Sequence, residues 1–231
     1  FLNTKTGELR LTFLPKKVDF PAGVYGVVEI VDKLRGSIVI RTQVSRVFGV
    51  FGSGKRRDGI LKIITARDNL VNTSLILPKY DENILLGGSL IYKEAISEAI
   101  SCGVNGIITG GINASDFQSV SGGRLFKSHL ETDIGLTLMV CEGFGSVPIG
   151  TDIFEILSGY EGKFVFIDGN KAVISLPSPL SSSLVKTKNT KLPELQNNDL
   201  ILDVGQIKGD LELKSGLKVR VVGNSYLGEQ G

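Results

Sequence analysis

A mixed α+β fold with a large share of β-structure is the class that the sequence predicts. Over residues 24–63, β-branched apolar residues dominate and helical periodicity is missing, which is typical of short strands. Over residues 84–166, short apolar runs alternate with helical patterns, which is typical of a small α/β unit with a mostly parallel sheet. The predicted units are a β-barrel-like unit (1–75), an α/β unit (76–176), a linker (177–199) and a C-terminal β unit (200–231).

Short strands with glycine corners fill the N-terminal unit. Residues 8–14 alternate between apolar and polar side chains and stop at Pro15. The runs after them are apolar and β-branched, and turns at residues 33–36 and at Gly59 divide them. Several short strands of this kind fit a small barrel or barrel-sandwich.

Buried strands and a hairpin are predicted in the central unit. Residues 106–109 and 136–140 are continuous apolar runs, as expected of parallel strands that are covered on both faces. The stretch around Asp168 and Gly169 predicts a hairpin, because glycine supplies the positive φ that a tight turn requires.

Helices are predicted between these strands. A first helix ends at Gly103, and its apolar face consists of Ile91, Ala95, Ile96, Ala99 and Ile100. Ser115 is expected to cap a brief helix. Asp152 is expected to begin a further helix, which Gly159 or Gly162 ends.

Glycine turns follow the strands of the central unit and give the candidate ligand site. The carboxyl ends of parallel strands meet at one edge of a sheet, where open α/β sheets bind their ligands. Backbone amides exposed at such turns could bind an anion, whereas a carboxylate there favours a hydroxyl or an amine. The predicted site residues are Gly87, Gly88, Gly110, Gly111, Glu142 and Gly143.

Residues 49–55 (GVFGSGK) satisfy most of the pattern of a phosphate-binding loop. Such a loop needs a Ser or Thr after its lysine to hold magnesium, and a helix whose N-terminus faces the phosphates. Arg56 follows Lys55 here, and a β-type run follows in turn. We therefore expect a glycine-rich turn with solvated Lys55, Arg56 and Arg57, and no nucleoside triphosphate site.

No catalytic residue, metal site or cofactor is predicted. Cys141 ends a predicted strand, but the only histidine, His129, has no fixed relation to it, so a buried inert thiol is expected. The two cysteines are 39 positions apart and give no zinc spacing. The carboxylates that a metal would need are expected on the solvated surface, namely Asp116, Glu131, Asp133 and Glu142.

Composition excludes some classes of protein. A net charge of +2 is too small to indicate a nucleic-acid or membrane partner for the whole chain. No apolar run approaches the ~18 residues of a membrane span. Two cysteines indicate a reducing compartment, so a cytoplasmic location is expected. The chain begins at Phe1 and stops at Gly231 inside a turn pattern, and we interpret it as a fragment.

The C-terminal segment resembles the KOW motif of transcription and ribosomal proteins. The residues that carry the resemblance are Gly216, Val219, Val221, Gly223, Tyr226, Gly228 and Gly231. It implies a partial SH3-like unit, although the family's pattern runs on into another strand that this chain lacks. A generic β-hairpin with glycine corners explains the same residues.

A longer series of motifs resembles a group of uncharacterised bacterial proteins. The motifs are, in order, TGELRL, GVFGSG, GVNGIITGGINASDF, GLTLMVCEGFGSVPIG and VRVVGNSYLGEQG. This resemblance implies a lipoyl-like barrel-sandwich region, an α/β middle and a KOW-like end. It implies no activity.

The predicted function is that of a non-enzymatic binding or scaffold protein. The KOW-like end favours RNA or a transcription or translation component as partner, with Lys218 and Arg220 on one strand face and Tyr226 available to stack on a base. Acidic residues balance the basic ones there, so a neutral adaptor surface for a protein fits almost as well. The alternative is a small-molecule- or cofactor-binding, redox- or carrier-associated protein that uses the glycine turns.

Overall fold

The computed structural model describes residues 22–120 and 133–178. The strand expected at residues 8–14, His129, the linker beyond residue 178 and the KOW-like segment lie outside these ranges. Within them the protein is a mixed α+β fold, with a large sheet and three α-helices. This confirms the predicted class.

The described residues contain one separate hairpin and one large sheet. The hairpin consists of β1 (Val27–Asp32) and β2 (Ser37–Arg41). The strands of the large sheet are β3 (Val44–Phe48), β4 (Phe51–Ser53), β5 (Arg57–Ile63), β6 (Leu70–Val71), β7 (Ile84–Leu86), β8 (Leu90–Ile91), β9 (Gly106–Ile112), β10 (Thr137–Phe144), β11 (Phe164–Asp168) and β12 (Val173–Pro177). The helices are α1 (Lys93–Ser101), α2 (Ala114–Val120) and α3 (Thr151–Ser158), with short 3-10 helices at Thr73–Leu75 and Pro78–Tyr80.

The large sheet closes on itself. Its strand order is β3-β12-β11-β5-β7-β9-β10-β4, so β3 and β4 form opposite edges. Only Gly49 and Val50 separate these two strands along the chain, and we call residues 44–53 the seam segment. The Gly49 N–H donates to the Ala172 carbonyl and the Val50 N–H to the Val140 carbonyl, each at 2.9 Å. One chain segment thus joins both edges of the sheet into a ring.

Alternating side chains give the ring two apolar layers. Inside it, residues from both halves of the sheet pack with α3, and they include Val47, Leu61, Leu86, Ile108, Met139, Val165, Ile167, Ile174, Ile153 and Leu157. Outside it, α1 and α2 cover the parallel strands, with Leu85, Ile107, Leu138, Ala95, Ile96, Ala99 and Phe117 in contact. The parallel strands are buried on both faces for this reason, which agrees with their continuous apolar sequence.

The predicted boundary after residue 75 crosses this sheet. β5 pairs antiparallel with β11 and parallel with β7, so it joins the two halves of the ring. The strands of residues 44–63 therefore complete a ring with later strands instead of forming a barrel among themselves. The apolar pattern of each strand is local, whereas its partner lies far away in the sequence.

Most predicted elements occur where the pattern places them. α1 ends at Ser101, and Gly103 follows with φ +72°; α3 ends at Ser158, immediately before Gly159. Two details differ. α2 begins at Ala114, so Ser115 lies inside the helix and does not cap it. β4 occupies part of the glycine-rich stretch that was expected to be a turn.

Candidate functional site

The carboxyl ends of β7, β9 and β10 meet at one edge of the ring, as predicted. The Gly110 N–H donates to the Gly88 carbonyl at 2.9 Å, and Gly111 lies opposite Gly143 in the β9–β10 register. The structure thus brings together the six predicted residues. We call them the glycine edge: Gly87, Gly88, Gly110, Gly111, Glu142 and Gly143.

Neighbouring backbone fills most of the space at the glycine edge. A Cβ atom on Gly110 would overlap the Val147 carbonyl, and one on Gly111 would overlap the Gly145 carbonyl. A Cβ on Gly87 would stand 2.6 Å from the Thr65 carbonyl oxygen. These glycines permit two loops, residues 64–69 and 145–149, to pass close against the strand ends. They are not an open cradle.

The amides of these turns already donate hydrogen bonds. The N–H of Gly87 donates to Ile108 at 3.1 Å, and that of Gly88 donates to Ala66 at 3.1 Å. The covering loop is tied down in the same way, since the Val147 N–H donates to the Ser89 carbonyl at 2.9 Å. An incoming anion would have to displace these bonds, which would leave backbone carbonyls at this edge without these donors.

Glu142 is buried, with 6% of its surface exposed, and not solvated as the sequence suggested. Its Oε1 accepts a hydrogen bond of 2.7 Å from the Gly150 N–H, immediately before α3. The carboxylate therefore occupies the N-terminus of this helix, where a negative charge is stabilised. Of the six residues, Gly143 borders open space, because no atom lies within 4 Å of a Cβ built on it.

Charged residues from distant segments form an ion-pair cluster outside the glycine edge. Asp133 accepts from Lys55 Nζ at 2.8 Å and from Arg57 Nη2 at 2.5 Å. Partial burial acts to raise the pKa of Asp133, but the hydrogen bonds from Lys55 and Arg57 outweigh it and lower this pKa to about 2. Thr137 completes the cluster by donating to the Lys55 carbonyl at 2.5 Å.

This cluster bears on the residues that resembled a phosphate-binding loop. Lys55 and Arg57 are paired with Asp133 and are not simply solvated, as the sequence suggested. β5 begins at Arg57, so a strand follows the lysine where the loop would require a helix.

Neither Cys102 nor Cys141 forms a disulfide bond within the residues described. Cys141 is buried in β10. Burial and the nearby Glu98 carboxylate raise the pKa of the Cys102 thiol, which lowers its thiolate fraction. Asp116, Asp133 and Glu142 stand apart, and no cluster of three metal-ligating side chains occurs among the residues described.

The outer surface of the antiparallel half carries a feature that sequence reasoning missed. Phe48 of β3 is 60% exposed and Ile60 of β5 is 42% exposed. On β11 between them, Phe164 and Phe166 make an edge-to-face contact with ring centroids 5.2 Å apart. The Arg56 guanidinium lies 5.1 Å from the centre of the Phe166 ring. We call these five residues the aromatic face.

The aromatic face lacks a covering helix in the part of the chain that the structure describes. α1 and α2 pack on the parallel half, and α3 packs inside the ring. The alternation of Phe164 and Phe166 with Val165 and Ile167 was a usable signal, because it places both aromatic rings on one face of the strand and the aliphatic side chains on the other. The sequence could not predict that Phe48 lies two strands away from Phe166 on the same face, because β3 and β11 are far apart in the sequence.

The β1–β2 hairpin also exposes apolar side chains. The most exposed are Tyr25, Val28, Val31, Leu34 and Ile38. Asp32 closes its turn by accepting from the N–H groups of Leu34 and Arg35. Isolated two-stranded hairpins are marginal in water, so this one has apolar surface to bury.

Among the described residues, no helix has the length and apolar character needed to cross a membrane. Comparison with protein-family models gave no match, and comparison with curated proteins gave none either. A solution NMR structure of a UPF0107 protein is similar, with 11% sequence identity over 57% of this chain and 98% of that one. Its TM-score of 0.36 is too low to transfer a fold or a function.

Proposed function

We propose that the protein is a non-enzymatic binding or scaffold protein, and that its partner is a macromolecule, with RNA favoured. The observation that carries this proposal is the aromatic face, in which the exposed Phe48 ring, the half-buried Phe166 ring and the Arg56 guanidinium share one outer sheet surface. Exposed apolar groups that persist next to cations mark interaction surfaces in monomeric proteins.

The small-ligand alternative has less support. Four glycines of the predicted site are packed against loop backbone, and the Glu142 carboxylate accepts a hydrogen bond at the N-terminus of α3. Gly143 is the residue there that still borders open space. A single open glycine offers a small molecule little of the concave, mostly apolar surface that ligand sites provide.

The proposal extends to the architecture of the two ends of the chain. We propose that residues 216–231 form a partial SH3-like KOW unit and that the N-terminal strands belong to a barrel-sandwich. Lys218 and Arg220 would then add phosphate contacts, and Tyr226 a stacking ring, to those of the aromatic face. Such contacts give salt-sensitive binding without sequence readout.

The test is fluorescence anisotropy with a labelled single-stranded RNA. The double variant Lys218→Glu and Arg220→Glu is expected to weaken binding at least about tenfold, because it removes two cationic phosphate contacts and adds two negative charges. The salt dependence of binding should become shallower as well. Lys79→Glu with Lys93→Glu is the matched control, since it reverses two exposed charges elsewhere. Binding that ignores both salt and the Lys218/Arg220 reversal would exclude RNA as the partner of this segment.

A protein adaptor is the second candidate function. The apolar side chains of the β1–β2 hairpin favour it, because exposed valine, isoleucine and leucine suit a protein surface better than a phosphate backbone. In the same RNA titration, absence of binding by the unmodified chain at low salt would favour the adaptor.

A further inference from the structure

We propose that the aromatic face is a stacking platform for single-stranded nucleic acid. Phe48 would receive one unpaired base, and Phe166 with its overlying Arg56 would receive another. This inference rests on the proposed function and assigns it a surface within the described residues. It concerns residues far in sequence from the KOW-like segment, so the two can be tested separately.

Strand pairing sets the spacing of the platform. Arg46 of β3 and Phe166 of β11 both lie opposite Ser175 of β12, while Phe48 lies opposite Val173. Neighbouring strands are about 4.8 Å apart and residues i and i+2 about 6.6 Å apart, so Phe48 and Phe166 stand about 12 Å from each other. Two bases would fit at this separation without competing for the same ring.

The chemistry of each position suits an unpaired base. Phe48 exposes more than half of its surface, and an aromatic ring stacks on any base because every base has a π-face. Arg56 is already held over Phe166, and a guanidinium plane is itself a stacking surface. Ser175, between the two, is a polar neighbour that tolerates sugar or phosphate.

Charge on the platform favours a polyanion weakly. Arg46 and Arg56 supply positive charge, and Lys62 follows on the outer side of β5. Asp58 opposes them, because it lies directly opposite Phe166 in the β5–β11 register and is exposed. Asp58 should therefore reduce the affinity for phosphate, and removal of its charge should increase the affinity for RNA.

The experiment uses the full chain and a labelled oligouridylate of about 12 nucleotides, within the usual site size of a single-strand binding module. Phe48→Leu and Phe166→Leu keep apolar volume and remove the rings, and each is expected to weaken binding by about 5- to 50-fold. Tyr92→Leu removes an exposed ring outside the platform and should leave the affinity unchanged. Asp58→Asn should tighten binding about two- to fivefold, because it removes a charge near the phosphates.

The outcomes separate this inference from the proposed function. If the unmodified chain binds RNA and both phenylalanine variants bind as Tyr92→Leu does, the platform is wrong while RNA binding stands. If the unmodified chain does not bind single-stranded RNA, the platform and RNA as the favoured partner both fall, and the protein adaptor is favoured. A duplex that binds more tightly than the single strand would also overturn the platform, because its bases are not free to stack. Thermal unfolding identifies a variant that fails to fold. In that case, 5-iodouridine RNA is photocrosslinked to the unmodified chain: a crosslink to Phe48 or Phe166 supports the platform, and crosslinks only elsewhere overturn it.

Discussion

Asp133 joins parts of the chain that are far apart in sequence. It precedes β10 and pairs with Lys55, which lies between β4 and β5, and with Arg57, the first residue of β5. From the sequence we expected Asp133 on the solvated surface and Lys55 and Arg57 in a solvated turn. The pairing could not be predicted, because Asp133 and the two cations are far apart in the sequence. Only the ring brings the start of β10 against the turn after β4.

Replacing Asp133 by Asn should destabilise the fold by about 1 kcal/mol at neutral pH. The full pKa shift would suggest more, but 28% of the side chain is exposed and solvent screens the pair. Since the folded pKa is about 2 against an ordinary value of 3.8, the stabilisation is complete above about pH 4 and disappears as the pH falls through 2.

Urea unfolding between neutral pH and pH 2 measures this effect. The unmodified chain should lose stability over the acid range more steeply than Asp133→Asn. Asp68→Asn is the control, because Asp68 is exposed and has no ion pair within the described residues. Parallel pH profiles for the unmodified chain and Asp133→Asn would contradict the role of the cluster.

At the scale of elements, the glycine edge shows how one residue type allows two structures. Glycines after parallel strands were interpreted as an open anion site, and their position at one edge was predicted correctly. In the structure the same freedom from a Cβ lets loop 145–149 pack against Gly110 and Gly111. A sequence does not distinguish the two, because the covering loop and the strand end approach each other only after folding.

Gly110→Ala should therefore destabilise the protein by about 2 kcal/mol, a typical cost of overpacking. Its Cβ would overlap the backbone of Val147, which cannot move without breaking the hydrogen bond to Ser89. Gly159→Ala is the control: Gly159 has φ −64°, and the nearest atom to its Cβ would be 3.4 Å away. Denaturant midpoints that are equal for the two variants would show that the loop yields easily.

At the scale of the whole molecule, the ring is what the sequence did not predict. Most helices and strands follow from local periodicity and were predicted closely. The hairpin near residue 168 also occurs, but the positive φ in its turn belongs to Ala172 (φ +50°) and not to Gly169 as predicted. Which strands are neighbours depends on contacts between residues far apart, such as Phe48 with Val173. The predicted boundary after residue 75 follows a change of pattern, and the sheet continues across it.

Fragments 1–75 and 76–231 should consequently fail to fold when produced separately. Each would expose sheet edges and half of the interior layer that Leu61 and Ile167 share. Circular dichroism and amide NMR dispersion of each fragment are the measurements, with the intact chain as reference. A well-dispersed spectrum from 1–75 alone would restore the independent N-terminal unit.

The seam segment also constrains the order of events during synthesis. β3 leaves the ribosome before its partner β12, which is made only at residues 173–177, so the ring cannot close until the chain has reached that point. Until then the hydrogen-bonding groups of β3 and its inward-facing side chain Val47 remain uncovered, and unpaired strand edges are the usual starting points for aggregation. A nascent chain of this topology would benefit from a chaperone that shields its first strands, and refolding from denaturant should slow as protein concentration rises.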